Sequence, residues 1–476
     1  MLSANSCWII YLTGVKPIMS FDTEVLIIGA GMSGLGLAVQ IIRNYGIRNF
    51  ELIEKSDDVG GTWLANTYPG CGCDVASHFY SYSFALNPDW TRKYSMRPEI
   101  QAYFRSVAEQ YRVVDHIRFH SVLEKAVWKD LDNVWEATVL DLQTKERIVR
   151  RAKILVSSVG SLSVPKACNL PGAETYQGNG CSATQFVPIM ANEPSPARKL
   201  TQFGRQAQYL AERQNPYYSN TFKAVMRYVP LAMRLYRAKF YYEMERDWSG
   251  FDIETGRNIR QDLAKENEAY VKSMAPPRCW DALIPKTEIG CKRKVLDTDY
   301  LKTLWRDNIE LVANDPVEKI TETGVINFTL RLLEPILKSL PSYQSRSFIR
   351  QILAPPPTTV EVKSEAAMAD FRWTQSAAKK LVWASGCVNW AVDPKTGLNN
   401  MMYPDWQFMY WLRSIFWKKH DFVYRDERTG GEVRPGSGKV TIWLATAGAL
   451  ACGAYFGRDW IQVELPQRLG ELITRG

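Results

Sequence analysis

The stretch Glu24-Val-Leu-Ile-Ile-Gly29-Ala-Gly31-Met-Ser-Gly34-Leu-Gly-Leu-Ala-Val-Gln40 decides the fold. Its uninterrupted apolar run, closed by a glycine, reads as a strand buried in a parallel sheet. The three glycines then have separate tasks. Gly29 permits a tight turn, Gly31 lets a pyrophosphate approach the backbone, and Gly34 lets the following helix pack on the strand. The helix start offers free N–H groups to the phosphates. A second strand, Phe50-Glu-Leu-Ile-Glu54, ends in an acid 20 residues after Gly34. A carboxylate there can accept both hydroxyls of a ribose. Strand, glycine turn, helix, strand and acid in this order point to a dinucleotide-binding domain.

Outward from that stretch, 476 residues give room for two or three domains. An apolar share of 46% and a charged share of 23% exclude a disordered, collagen-like or polytopic membrane chain. The net charge of +9 is spread over scattered Lys and Arg with no block of like charges, so no nucleic-acid partner is expected. Nine cysteines without regular spacing argue against a disulfide framework and for a reducing compartment. His78, His116, His120 and His420 make no ligand cluster with Cys71 and Cys73, so no metal is expected. Residues 1–20 read as an extension outside the core. Residues 440–457 carry no charge and would reach about 27 Å as a helix. That run is open between a C-terminal membrane anchor and a buried terminal helix, and the localisation between cytoplasmic and membrane-anchored.

The next stretch is Val59-Gly60-Gly61-Thr62-Trp63-Leu-Ala65-Asn66-Thr-Tyr68-Pro69-Gly70-Cys-Gly-Cys73-Asp74, followed by Ser77 and Tyr80. Paired glycines let backbone pass close to a flat ring, and Trp63 offers a stacking face. These residues resemble the class B flavin-dependent monooxygenases, specifically the Baeyer–Villiger branch, in which GGTW, N-x-Y-P-G and C-D occur in this order. The resemblance implies FAD on Gly29, Gly31, Gly34 and Glu54, with Thr62, Trp63, Ala65, Asp74 and Tyr80 near the flavin. It also implies NADPH on Gly178, Gly180, Ser182 and Ala183. Arg205 and Lys292 would then hold the 2′-phosphate, a task suited to fixed positive charge. Arg293, in Gly290-Cys291-Lys292-Arg293, matches the family's catalytic arginine, and Asp74 would position it. Later blocks, Leu381–Trp390, Thr396–Asn399, Tyr403-Pro404 and Asp421–Tyr424, extend the resemblance over most of the chain.

The expected fold is therefore α/β, with two Rossmann-like dinucleotide-binding domains, for FAD and NADPH, and a helical insertion. The boundaries expected are 21–170 for the first part of the FAD domain and 171–325 for the NADPH domain, with the insertion at about 210–285. The return to the FAD domain is expected at 326–430, and a tail at 431–476. Amphipathic packing is the expected role of the aromatic-rich insertion, with a membrane-surface face as the lesser reading. The expected function is insertion of one oxygen atom of O2 into a small organic substrate, most simply a ketone giving an ester or lactone, in a setting such as fungal secondary metabolism. N- or S-oxygenation and an inactive, shortened FAD-binding form are the alternatives.

The match breaks twice. No apolar strand precedes Gly178, whose upstream residues are Leu170-Pro-Gly-Ala-Glu-Thr-Tyr-Gln177, and the family's His/Trp fingerprint is missing there. The family's A-T-G strand end is likewise missing before Ile326. Poor handling of NADPH is expected from these gaps, unless another run such as Lys153-Ile-Leu-Val-Ser157 supplies the strand.

Overall fold

β1 (Thr23–Ile28) runs through the centre of a sheet, with Val25, Leu26, Ile27 and Ile28 almost fully buried. Each such side chain contributes about 1.5–3 kcal/mol on leaving water. The computed structural model describes residues 21–160, 183–192, 199–204, 206–291, 294–313, 317–321, 324–327, 358–384 and short stretches between 392 and 432. The chain divides into two units. The first comprises Met1–Ala173, Gln177–Glu193 and Gln214–Tyr236; the second comprises Glu174–Tyr176, Pro194–Arg213 and Arg237–Gly476.

In the first unit, β1 lies between two parallel neighbours, β2 (Phe50–Ile53) and β6 (Arg147–Ser157). β3 (Ile117–Arg118) extends the sheet beyond β2. β4 (Ser121–Lys129) and β5 (Val134–Asp141) form an antiparallel meander with β6, giving the order β3-β2-β1-β6-β5-β4. The apolar run Lys153–Ser157 is therefore committed here: Ile154, Leu155, Val156 and Ser157 register with Val25, Leu26, Ile27 and Ile28. This corrects the expectation that it could supply a strand for the second nucleotide site, because its edge is occupied by β1.

α1 (Met32–Tyr45) follows β1 and stops at Gly46, whose left-handed backbone (φ 68°) lets its N–H reach Ile42 O. α2 (Thr62–Ala65) is one short turn. α3 (Arg97–Gln110) starts with Pro98 in its first turn and buries Ile100, Tyr103, Phe104, Val107 and Ala108, the spacing of one helical face. α4 (Ala183–Ala191) and α5 (Asn220–Tyr228) also belong to this unit. α4 is tied to the first unit by side-chain bonds. Tyr68 donates from its hydroxyl to Gln185 Oε1 at 2.9 Å, and Gln185 Nε2 donates to Gly72 O at 3.0 Å.

α6 (Ala232–Trp248) leads into the second unit. There β7 (Leu200–Gly204) pairs in parallel with β10 (Ile309–Ala313), and β8 (Tyr209–Glu212) pairs in parallel with β9 (Lys294–Asp297). α7 (Arg257–Met274), α8 (Trp280–Leu283) and α9 (Tyr300–Thr303) accompany them. β11 (Val317–Thr321) and β12 (Gly324–Asn327) form a hairpin, so the suspected break at Val325–Ile326 lies inside one strand. β13 (Thr358–Val362) pairs antiparallel with β14 (Phe422–Asp426), and α10 (Ser364–Ala378) follows β13. No helix among the described residues is long and apolar enough to cross a membrane, and residues 440–457 lie outside them.

Candidate active site

The turn after β1 is built from close backbone contacts. Gly29 has φ 101°, and a Cβ there would stand 2.6 Å from Ser158 O, so only glycine fits. A Cβ on Gly34 would stand 1.9 Å from Gly29 O, which lets α1 sit directly on the turn. Gly31 faces Gly61: a Cβ on Gly31 would be 3.5 Å from Gly61 Cα, and one on Gly61 would be 3.0 Å from Gly31 Cα. The Gly60 N–H also donates to Ala30 O at 3.0 Å. The two glycine segments of the sequence therefore form one cradle of bare backbone. The first helical bond of α1 runs from Leu35 N–H to Gly31 O, so the N–H groups ahead of Leu35 have no acceptor within the helix.

Glu54 stands beside this cradle, 6% exposed. Its carboxylate accepts from Ala30 N–H at 2.7 Å and from Ser56 N–H at 3.0 Å. Two acceptor bonds leave further lone pairs on the same oxygens, enough for a ribose diol. The carboxylate is thus oriented by the turn it serves.

The Thr62–Ala65 turn is held from below. Arg97 donates from Nε to Trp63 O at 2.7 Å and from Nη2 to Leu64 O at 3.1 Å. Trp63 is buried, and its indole N–H donates to Tyr80 OH at 3.1 Å with the rings edge to face. Burial pushes the Tyr80 phenol above its ordinary range, so it keeps its proton as a donor. Trp63 is therefore less an open stacking face than a buried brace. Asp74 is exposed, while Cys73 next to it is buried. Gly178, Gly180, Ser182, Arg205, Lys292 and Arg293 lie outside the described residues, so the Asp74–Arg293 pairing has no geometry here. Ala183 is the first residue of α4.

The approach to Lys292-Arg293 is described up to Cys291. Arg260, 5% exposed, donates to Gly250 O at 2.9 Å and Ile253 O at 2.8 Å and pairs with Glu288. Glu288 O then accepts the Cys291 N–H. Cys291 packs with Leu381, Val382 and Trp383 and is disulfide-bonded, which the sequence did not lead us to expect, whereas Cys71 and Cys279 keep free thiols. Neither Arg97 nor Arg260 stood out in the sequence, where each is one of 59 basic residues. A cavity of about 540 Å³ opens between Phe84–Asn87 and α3. None of the cradle residues lines it, so it is not the dinucleotide site. Among the described residues no group of His, Cys, Asp and Glu could hold a metal ion.

A parallel sheet with a glycine cradle and an adjoining acid, and a second unit with parallel strand pairs, define a protein of the two-dinucleotide-domain α/β class. The pattern described as a NAD(P)-binding Rossmann-like domain matches residues 27–94. The chain is 31% identical over 335 residues to the FAD-binding monooxygenase ktnD of Aspergillus niger, covering 63% of this chain and 54% of that protein. It is 32% identical over 315 residues to a Baeyer–Villiger monooxygenase of Streptomyces coelicolor, covering 61% and 58%. It thus spans little more than half the length of these relatives. The solved structure of OTEMO in complex with FAD and NADP superposes with a TM-score of 0.67 at 18% identity, over 83% of this chain and 97% of that one, which shows the shared fold. In sequence the chain is thus similar to flavin monooxygenases of the Baeyer–Villiger type, and it shares the fold of OTEMO.

Proposed function

We propose that the protein uses FAD and NADPH to place one oxygen atom of O2 into a small ketone, giving an ester or lactone and water. The observation that carries this reading is the joining of the Gly29–Gly34 turn, Gly61 and Glu54 in one cradle, beside a turn fixed by Arg97 and Tyr80. These residues fit the ADP half of FAD: bare backbone for the pyrophosphate, unused N–H groups at the start of α1, and a buried acid for the ribose. Bound FAD would supply the redox chemistry, accepting hydride from NADPH and activating O2. The chain's own share is positional and electrostatic. Arg97 fixes the carbonyls of Trp63 and Leu64, and Tyr80 offers a neutral phenol donor. Arg293 is assigned to stabilise negative charge that builds up during oxygen transfer, with Asp74 as its positioning partner. Gly178, Gly180, Ser182, Ala183, Arg205 and Lys292 are assigned to NADPH.

The experiment is incubation of purified protein with NADPH, O2 and a panel of ketones, with mass spectrometry for a product one oxygen heavier. Ester formation supports the reading, and Arg293→Ala should keep its flavin but lose product. N- or S-oxides in place of esters would redirect it. A second reading, an FAD-binding form that handles NADPH poorly, is favoured by the commitment of Lys153–Ser157 to the first sheet. Retained flavin with no NADPH consumption would select it.

A further inference from the structure

α5 ends at Tyr228 and α6 begins at Ala232, and residues 227–231 between and beside them are all exposed. Four of these five are apolar or aromatic: Tyr228 is 74% exposed, Val229 50% and Leu231 64%, with Pro230 between them. Leu235, one helical turn on, is 63% exposed. The sole residue of α5 that is buried is Met226. Scattered exposed apolar residues are ordinary, but consecutive ones at a turn between two helices make a contiguous apolar tip. Its backbone is fixed: Val229 N–H bonds to Val225 O at 3.0 Å, Ala232 N–H to Val229 O at 3.2 Å, and Leu231 sits at φ 65°.

The segment that carries the tip has charge of one sign along its own sequence. From Asn220 to Tyr242 the sequence holds five basic residues and no acidic one. Arg227 is already engaged by Asp89, while Lys223 and Arg234 flank the tip. An apolar wedge inside a basic collar has the chemistry of a segment that lies in the boundary layer of an anionic bilayer. A groove-binding protein partner would call instead for a concave surface. We propose that Tyr228–Leu231, with Leu235, inserts into the headgroup region of an anionic lipid surface, with Lys223 and Arg234 against the lipid phosphates. Such peripheral attachment would bring the protein to substrates dissolved in lipid, and it is independent of residues 440–457.

The test is flotation of the full-length, flavin-loaded protein with vesicles of phosphatidylcholine containing phosphatidylserine, against vesicles of phosphatidylcholine alone. The expected result is binding to the anionic vesicles that weakens as salt rises. Lys223→Gln with Arg234→Gln should weaken it roughly 25-fold, at about fivefold for each charge. Leu231→Asn with Leu235→Gln should weaken it at least about tenfold, and asparagine suits the left-handed backbone at position 231. Flavin content and unfolding temperature of both variants should match the parent, since Leu231, Arg234 and Leu235 are exposed and Lys223 is only half-buried. Equal binding to both vesicle types would overturn the proposal. So would variants that bind as the parent does, binding that depends on 440–457 and not on Leu231 and Leu235, or a tip that instead drives self-association.

Discussion

A methyl group added at Gly31 should empty the nucleotide site without unfolding the chain, whereas the same methyl at Gly34 should damage the fold. Gly31 has φ −76°, open to any residue, and its Cβ would meet Gly61 Cα at 3.5 Å, an ordinary contact. As the residue preceding α1 it loses about 1 kcal/mol at most on becoming alanine, a fall of roughly 2–4 °C in Tm. The methyl would, however, stand on the cradle where a pyrophosphate must touch backbone. Each charge-assisted hydrogen bond lost is worth about 1.5–3 kcal/mol, or about 10- to 150-fold in affinity. At Gly34 the Cβ would lie 1.9 Å from Gly29 O, and that oxygen belongs to the turn itself. The turn must move by more than about 1 Å, at the upper end of overpacking costs near 3 kcal/mol, which lowers Tm by roughly 6–12 °C. The assay pairs flavin-to-protein absorbance and titration of apoprotein with FAD against thermal unfolding followed by far-ultraviolet circular dichroism. Gly31→Ala protein that binds FAD as the parent does would refute the cradle, and Gly34→Ala protein that melts with the parent would refute the packing argument.

Glu54→Gln turns one acceptor oxygen into an amide that faces Ala30 or Ser56 N–H, so FAD affinity should fall at least about tenfold; titration of apoprotein checks it. Tyr80→Phe removes the acceptor of the Trp63 indole N–H, and should lower stability by about 1–2 kcal/mol in urea unfolding. Burial pushes the Asp297 carboxyl above its ordinary range, although Tyr270 OH and Tyr300 N–H donate to it. The folded chain then holds that proton more tightly than the unfolded one, so the contribution is full in acid, below the ordinary aspartate value, and is lost as pH rises through the raised folded value. Asp297→Asn, which keeps an acceptor for Tyr300 N–H, should flatten that limb of a stability-against-pH curve and match or exceed the parent near neutral pH.

The first sheet could be read in sequence where residues admit one structure. Val25–Ile28 followed by Gly29 has no competing period, and Glu54 directly follows β2 at the sequence spacing of the dinucleotide fingerprint. Pairing was less legible. Lys153–Ser157 announces a strand, but nothing in those residues says which neighbour it takes, and the structure gives it β1. The ties of α4 at Ala183–Ala191 were equally hidden, because the Tyr68–Gln185–Gly72 bonds that hold it to the first unit join residues more than 100 positions apart. Arg97 and Arg260 escaped notice for a related reason. A basic residue in a helix looks solvated until the carbonyls that surround it are known, and those belong to other segments. The apolar residues of α6 are spread almost evenly around the helix, so the sequence could not tell its packed side from its exposed one.

The seating of Gly29 against Ser158 has a consequence for the order in which the protein is made. The glycine turn emerges from the ribosome early, but Ser158 O occupies the space beside Gly29, and Ser158 N–H bonds to Ile28 O at 2.8 Å. β4, β5 and β6 are consecutive and antiparallel, so they can zip up locally as they are synthesised. The parallel pairing of β6 with β1 spans more than 120 residues and closes later. A nascent chain halted before residue 158 therefore carries every glycine of the fingerprint and no finished seat for a nucleotide. Cofactor capture becomes the checkpoint that reports completion of the meander, and flavin supply in the cell would act on the nearly whole domain rather than on its first strand.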